Sequence, residues 1–332
     1  MTNSTTLPVP RREAPWLGIG ASGQWTDYRD ALAAAQLDFT VHQTDAYWAK
    51  PVLPFTETVL AQQQPGVIIP CDEERLDNLH VNVRGTDNRV LGVVTDKYGV
   101  VQNEDAFSLL EPFTKAGGVI TNAGMTEQGL CFMVLRMRQE EFLGDVYDFD
   151  VMCCNSFNTR FPLSLMMVPT RIVCQNMYRK LLRSNDMLLH IRHGSNADDR
   201  LKAATAAVGL IGGYMSSFGY ALEQAECRPL SNADVWNLLS VLFPYPKPGG
   251  KHEQASMEKV DLMRQDFYNT CYLAQDNAKF RGTGMGFLNA YYDWLSHRPP
   301  TKNMAGSWED RRLSGLVSGN DIKTTIIERC LA

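Results

Sequence analysis

Arg171, Cys174 and Asn176 lie within two turns' worth of chain, and His190, Arg192 and His193 follow in the same segment, MMVPTRIVCQNMYRKLLRSNDMLLHIRH (residues 166–193). These residue types can do three kinds of chemistry. A thiol beside an arginine can be lowered in pKa and attack as a thiolate, provided that a base and an orienting group stand next to it. Two histidines three residues apart can bind a metal, but only with a third ligand. The sequence holds neither HExxH nor a paired Cys/His set, and cationic neighbours oppose a cation. Imidazolium and guanidinium together donate well to phosphate oxygens. The charge balance suits this third chemistry. Residues 171–202 carry seven Lys/Arg against three Asp/Glu, a local +4 in a chain of net charge −5. Residues 100–150 carry nine acids against three bases, a local −6. Such asymmetry can form an electrostatic funnel on one face and an acidic face opposite. The plainer alternative is that the same cations only solvate helix faces.

Candidate phosphate contacts are therefore Arg171, Arg179, Lys180, Arg183, Arg192 and His193. Lys97, Tyr98, Gln102 and Asn103 would line an adjacent sheet-to-helix edge, with Tyr98 as a base-stacking group. Cys174, Asn176, Gln102, Asn103 and His190 are the candidates for a polar pocket. Other signatures are weak. Gly282-Thr-Gly-Met-Gly286 lacks a dinucleotide spacing and a preceding strand, so close packing through small residues is its simpler reading. The Gly18–Gly23 loop has no Lys-Ser/Thr to complete a phosphate loop, and there is no GxSxG. No catalytic residue, metal or cofactor is assigned.

The elements that must position these groups divide the chain in two. With 332 residues, 44% hydrophobic and 21% charged, the composition is that of a folded protein. The eight cysteines include no CxxC and fall in apolar segments, so buried thiols are expected; Cys153 and Cys154 should face opposite ways on a strand. Residues 1–15 form a polar, proline-containing arm without a signal-peptide core, and no membrane-length apolar run occurs; a cytoplasmic setting is expected. A helix is expected from Thr26, short strands with a loop over 39–69, and a strand at RVLGVVT. Asn103 should cap a helix that stops at Gly117–Gly118. Two antiparallel pairs follow, turning near Thr126–Gly129 and Asn155–Asn158. After Thr170 the period becomes helical, with helices expected over Arg171–Arg183, Asn196–Leu222, Asn232–Phe243, Gln254–Ala278, Gly284–His297 and near Asp321–Leu331. The class is α+β: a mainly antiparallel sheet in the N-terminal half, backed and followed by a helical C-terminal half. The organisation is an arm (1–15), a sheet region (16–170) and a helical region (171–332) packed on it as one unit, with a connector at 244–250.

Four segments together resemble the phage/plasmid-like family known as domain of unknown function 932: LGVVTDKYGVVQNEDAF (91–107), PTRIVCQNM (169–177), HIRHGSN (190–196) and GTGMGFLNAYYDWLSH (282–297). The resemblance spans about residues 15–330 and departs at Met177, where the family usually has Thr, and around Asn155–Arg160. It implies a mobile-element setting beside recombination and anti-restriction genes. The leading expectation is a non-enzymatic protein that binds single-stranded DNA in a recombination or annealing role. A protein-binding inhibitor of a host defence or restriction enzyme, meeting a basic partner through the acidic 100–150 face, is one alternative. A hydrolase or nucleotide-dependent enzyme using Arg171, Cys174, Asn176, His190 and His193 is another. Each is compatible with a homo-oligomer.

Overall fold

The computed structural model describes residues 14–51, 71–182, 187–191, 197–249, 253–297, 307–319 and 323–332. A seven-stranded antiparallel sheet runs through its middle. Its strands are β1 (Ala21–Trp25), β5 (Val119–Met125), β6 (Leu130–Phe142), β7 (Asp145–Ser156), β8 (Leu163–Arg171) and β10 (Met187–Ile191) in spatial order, with the short β9 (Asn176–Met177) also on β8. A second, three-stranded sheet is formed by β2 (Val41–Pro51), β3 (Cys71–Arg84) and β4 (Val90–Thr95) in that order.

The large sheet separates two cores, and strand alternation decides which residue enters which. Cys131, Met133, Leu135, Phe149, Val151, Cys153 and Leu165 point to the helical side. Leu130, Phe132, Val134, Met152, Cys154, Met166 and Val168 point to the other. Cys153 and Cys154 thus do face opposite ways. The helical side is covered by α1 (Tyr28–Ala34), α2 (Asn103–Phe107), α4 (Ala197–Cys227), α5 (Asn232–Leu242), α7 (Gly284–His297) and α9 (Thr324–Leu331). A 3-10 turn runs Ser108–Leu110 between α2 and α3 (Glu111–Lys115). The opposite face is covered by Ala14, Trp16 and Ile19 around the turn Pro15–Gly18, and by Leu313 and Val317 of α8 (Trp308–Ser318). The remaining long helix is α6 (Glu253–Tyr272), separated from α5 by the proline-rich connector.

The α+β class and the order of sheet then helices are as the sequence implies. One expected helix is absent. Arg171–Arg183 does not form one: β8 continues through Arg171, which is registered opposite Tyr147. A single turn follows, closed by Gln175 N–H donating to Arg171 O at 2.8 Å. It is not propagated, because Gln175 and Lys180 adopt φ of +56° and +59°, outside the helical region. β9 then returns to β8, and Tyr178 N–H donates to Pro169 O at 2.8 Å. Pro169 is tolerated in β8 because it falls between the stretch paired with β10 (163–166) and that paired with β9 (170–171). Two further corrections are smaller. The N-cap of α1 is Asp27, not Thr26. Asn103 is the first helical residue of α2 rather than its cap, which is Gln102.

Candidate functional site

The turn after β8 and the helix α7 meet in a buried polar seam that joins two of the segments singled out by their residue types. Arg171 is 1% exposed at the end of β8. Its Nε and Nη2 donate to Asp145 Oδ2 at 2.9 and 2.8 Å, and Nη2 also donates to Asp276 O at 2.6 Å. Asp145 is shared, since Lys279 Nζ lies 3.0 Å from its other oxygen. Burial opposes the charge on Arg171, but Tyr178, Cys174, Asp145 and Tyr147 around it together hold its proton above the ordinary range.

Beyond the arginine, His297 at the end of α7 places Nε2 2.8 Å from Cys174 O and 3.1 Å from Asn176 Oδ1. Both neighbours are acceptors, so that nitrogen carries the proton. Asn176 Nδ2 donates to Asn289 O, and Met177 N–H donates to Ser296 Oγ at 3.0 Å. Tyr178 OH donates to Asn289 Oδ1, whose amide donates to Asn277 Oδ1 at 2.8 Å. Asn277 in turn donates to Cys271 O and Gly286 O. Asn289, Asp293, Ser296 and His297 are spaced i, i+4, i+7, i+8, so one face of a largely apolar helix carries the polar groups. That spacing is the signal by which they could have been found; Asp145, Asn277 and Asp276 carried none.

The next two cations do a different job. Arg179, 2% exposed, donates Nη2 to Val317 O, and Lys180 donates Nζ to Gly319 O at 3.1 Å. Both carbonyls belong to the C-terminus of α8, where unpaired carbonyls and the helix dipole favour positive charge. Arg171 and Arg179 therefore point inward, and Lys180 is half-buried. His190 lies on β10 opposite Ser164. Arg183, Arg192 and His193 lie outside the described residues.

Lys97, Tyr98, Gln102 and Asn103 sit elsewhere, at the junction of the two sheets. Lys97 is exposed. Tyr98 is half-buried and its OH donates to Ser156 O at 2.6 Å. Burial and the neighbouring Cys131 raise its pKa. Gln102 acts as a surrogate strand: its Oε1 accepts from Val41 N–H and its Nε2 donates to Val41 O, both at 2.9 Å. Asn103 donates to Leu37 O and accepts from Asn155 Nδ2. Asn82 of β3 donates to Phe157 O across the same junction. Gln102 and Asn103 are thus brought together with each other, but not with Cys174, Asn176 and Arg171.

Chemically the seam holds positions. Burial pushes the Cys174 thiol up to about 11, and Arg171 Nη1 at 3.5 Å offsets this only in part, so a thiol and not a thiolate is present at neutral pH. The Gly282–Gly286 loop is packed rather than open: a Cβ on Gly284 would stand 2.2 Å from Cys330 O, and one on Gly286 2.2 Å from Phe280 O. Gly284 N–H is already given to Arg228 O at 2.7 Å. No group of three or more His, Cys, Asp or Glu among the described residues is placed to hold a metal. No described helix is long and apolar enough to cross a membrane.

A central antiparallel sheet with most of its helices on one face and α8 on the other, keyed to it by buried Arg, Asn and His groups, defines an α+β protein in which Arg171, Asn176 and Arg179 hold the elements together. The chain belongs to the DUF932 family, a domain of unknown function, whose model matches residues 90–316, from the start of β4 to within α8. No curated protein and no solved structure matches the chain.

Proposed function

We propose that this chain is a binding protein that works through the ribbon of β2 and β3, docking it on a basic protein surface. The observation that carries the reading is the exposure of Tyr47 and Trp48, at 57% and 50%, on a ribbon that is exposed on both faces over Tyr47–Ala49 and Asp72–Asn78. An isolated two-stranded ribbon is only marginally stable in water, so covering one of its faces stabilises it. β4 pairs with β3 only over Leu79–Val83, and among the described residues no strand pairs with that edge of β3 over 71–78. A partner can add a strand to that edge and take Tyr47 or Trp48 as an anchor.

The charge selects the partner. Asp45, Asp72, Glu73, Glu74 and Asp77 stand on this ribbon against Lys50 and Arg75. Like charges repel a second ribbon of the same kind and favour a cationic surface. In a mobile element, the basic partner would be a host enzyme that handles nucleic acid, which the chain would inhibit.

The test is fluorescence anisotropy with a labelled lysine-rich peptide and with labelled single- and double-stranded oligonucleotides, at low and high salt. Salt-sensitive peptide binding is expected, weakened about thirtyfold by Tyr47→Ser/Trp48→Ser, since anchors of this kind contribute more than ~1 kcal/mol each. Asp72→Lys/Glu73→Lys should abolish it, while Glu140→Lys/Glu141→Lys, in the acidic 100–150 stretch, should not. Equal loss from both acidic pairs would mean nonspecific attraction and end the reading.

A second reading is single-stranded DNA binding in a recombination role. It is favoured by the exposure of Lys97 and Lys202 and by β10 forming an edge of the large sheet, flanked in sequence by Arg183, Arg192 and His193. Arg171 and Arg179, being buried, are no longer part of it. Oligonucleotide binding that falls steeply with salt and is lost on Arg183→Ala/Arg192→Ala would put this reading first.

A further inference from the structure

We infer that the outer face of α4 is a self-association surface, on which a second copy of this chain packs its own α4 antiparallel. The helix is 31 residues long, and positions 203–222 contain no charged residue. Its inner face is buried through Ala204, Ala207, Ile211, Tyr214, Phe218 and Leu222. Its outer face is solvent-exposed yet carries no charge between Lys202 and Glu223. Exposed helix faces are ordinarily charged. Here Leu210 and Tyr220 are 59% and 64% exposed instead.

The glycines give an independent observation. Gly219 is explained within the subunit, because a Cβ there would stand 2.3 Å from the Phe142 ring. Gly209, Gly212 and Gly213 are not: a Cβ on any of them would meet nothing within 4 Å. Each glycine in a helix interior costs about 0.8–1 kcal/mol relative to alanine. Among the described residues, nothing inside the subunit offsets that cost. A second helix approaching closely over the glycines would.

The face is complementary to itself in size and in charge. A two-fold axis through Gly213 sets Tyr220 over the partner subunit's Ala206, Leu210 over the partner subunit's Ser216, and Gly209 against the partner subunit's Ser217. Each bulky side chain meets a small one, as an isologous contact requires. The same axis brings Lys202 beside the partner subunit's Glu223, at the ends of the uncharged stretch. The stretch from Lys202 to Glu223, about 33 Å long and ~10 Å wide, covers on the order of 330 Å² per subunit, well under the ~800 Å² each partner contributes to a standard interface. The contact is therefore of the weak, transient class and dissociates on dilution.

Sedimentation velocity of the full chain over a concentration series tests this. The expected result is a monomer–dimer equilibrium that Leu210→Glu shifts to monomer with an unchanged circular dichroism spectrum, since position 210 touches solvent. Gly213→Ala should raise the thermal midpoint of the dilute monomer through better helix propensity and yet weaken the dimer. Lys202→Glu should weaken association, and Lys202→Glu/Glu223→Lys should restore it, which only the antiparallel arrangement does. A monomer at every concentration, or a dimer indifferent to both Leu210→Glu and Gly213→Ala, would overturn the inference; the first outcome would give the face to a different protein.

Discussion

Asp145→Asn should be among the most destabilising single substitutions in the seam, and Arg171→Met should cost clearly less. The asymmetry follows from what each change leaves behind. Removing the Asp145 charge strands a guanidinium that is 1% exposed, with Asp276 Oδ2 no nearer than 3.7 Å and one backbone carbonyl as compensation. Breaking a buried ion pair so that one charge stays uncompensated typically costs about 3–5 kcal/mol. Removing the arginine leaves Asp145 within 3.0 Å of Lys279 Nζ, and that lysine is substantially solvated. Met also refills most of the volume, so a loss of about 1–2 kcal/mol is expected. The double variant should recover part of the Asp145→Asn loss, with a coupling of about 2 kcal/mol. Urea unfolding of the four proteins, read by linear extrapolation, measures all three quantities. Equal losses from the two single substitutions, or an additive double variant, would refute the account of the seam as a paired, buried charge network.

Two further outcomes are expected. Asn289→Leu should cost about 2–4 kcal/mol in the same urea experiment, because it leaves Tyr178 OH and the Asn277 amide oxygen buried without their partner. Asp150 supplies a pH test. Burial raises its carboxyl from 3.8 to about 7, with Arg136 offsetting in part. The folded state thus holds a proton that the unfolded chain releases, so stability contributed by this group is full below the unfolded value and lost as pH rises to about 7. Asp150→Asn should flatten the thermal midpoint across that window and raise it at pH above 7; parallel wild-type and variant curves would exclude Asp150 as the cause.

Much of the architecture was legible in the residues. Alternation in LCFMVLRM and the continuous apolar run of β8 mark buried strands, and the turn at Thr126–Gly129 sits where expected; the second turn falls later than Asn155–Asn158, over 157–162, because Asn155 and Ser156 are still paired in β7. α7 begins and ends at Gly284 and His297 as its periodicity implies. β3 was missed although LHVNVR (79–84) alternates, because its outer half, CDEERLDN (71–78), is polar and exposed over 72–78, so no pattern is imposed there. α8 went unassigned although Ser307 and Asp310 form a capping box, because the sequence around it is polar. The mistaken helix at Arg171–Arg183 has a specific origin. Its apolar spacing is helical, but Arg171 is bound to Asp145 at the start of the adjacent strand, and that long-range pairing outweighs local propensity. The site suffers from the same blindness. Types such as Arg, His and Cys advertise chemistry, but whether a cation faces phosphate or the C-terminus of α8 depends on partners more than a hundred residues away.

The position of the family match within the fold bears on where the activity lies. The match begins at Val90, so β2 and β3 precede it, whereas the seam and α4 fall inside it and the sheet junction straddles its start. Among the described residues of the matched region, several groups that could do chemistry are occupied: Arg171 by Asp145, Arg179 and Lys180 by the end of α8, Gln102 by Val41. Groups so committed rigidify a scaffold, since each leaves a buried partner unsatisfied if it moves. A rigid scaffold of this kind can present an appended element at a fixed angle, and Asn82 and Gln102 are the two side chains that fasten the smaller sheet to it. If the ribbon is the working part, Gln102→Ala should weaken partner binding without removing a single ribbon contact, by loosening β2 at Val41. The same substitution should leave association through α4 unchanged, because that face is carried by a different element. Loss of both together would mean that Gln102 supports the whole fold rather than the ribbon, and would withdraw the division between scaffold and appended binding element.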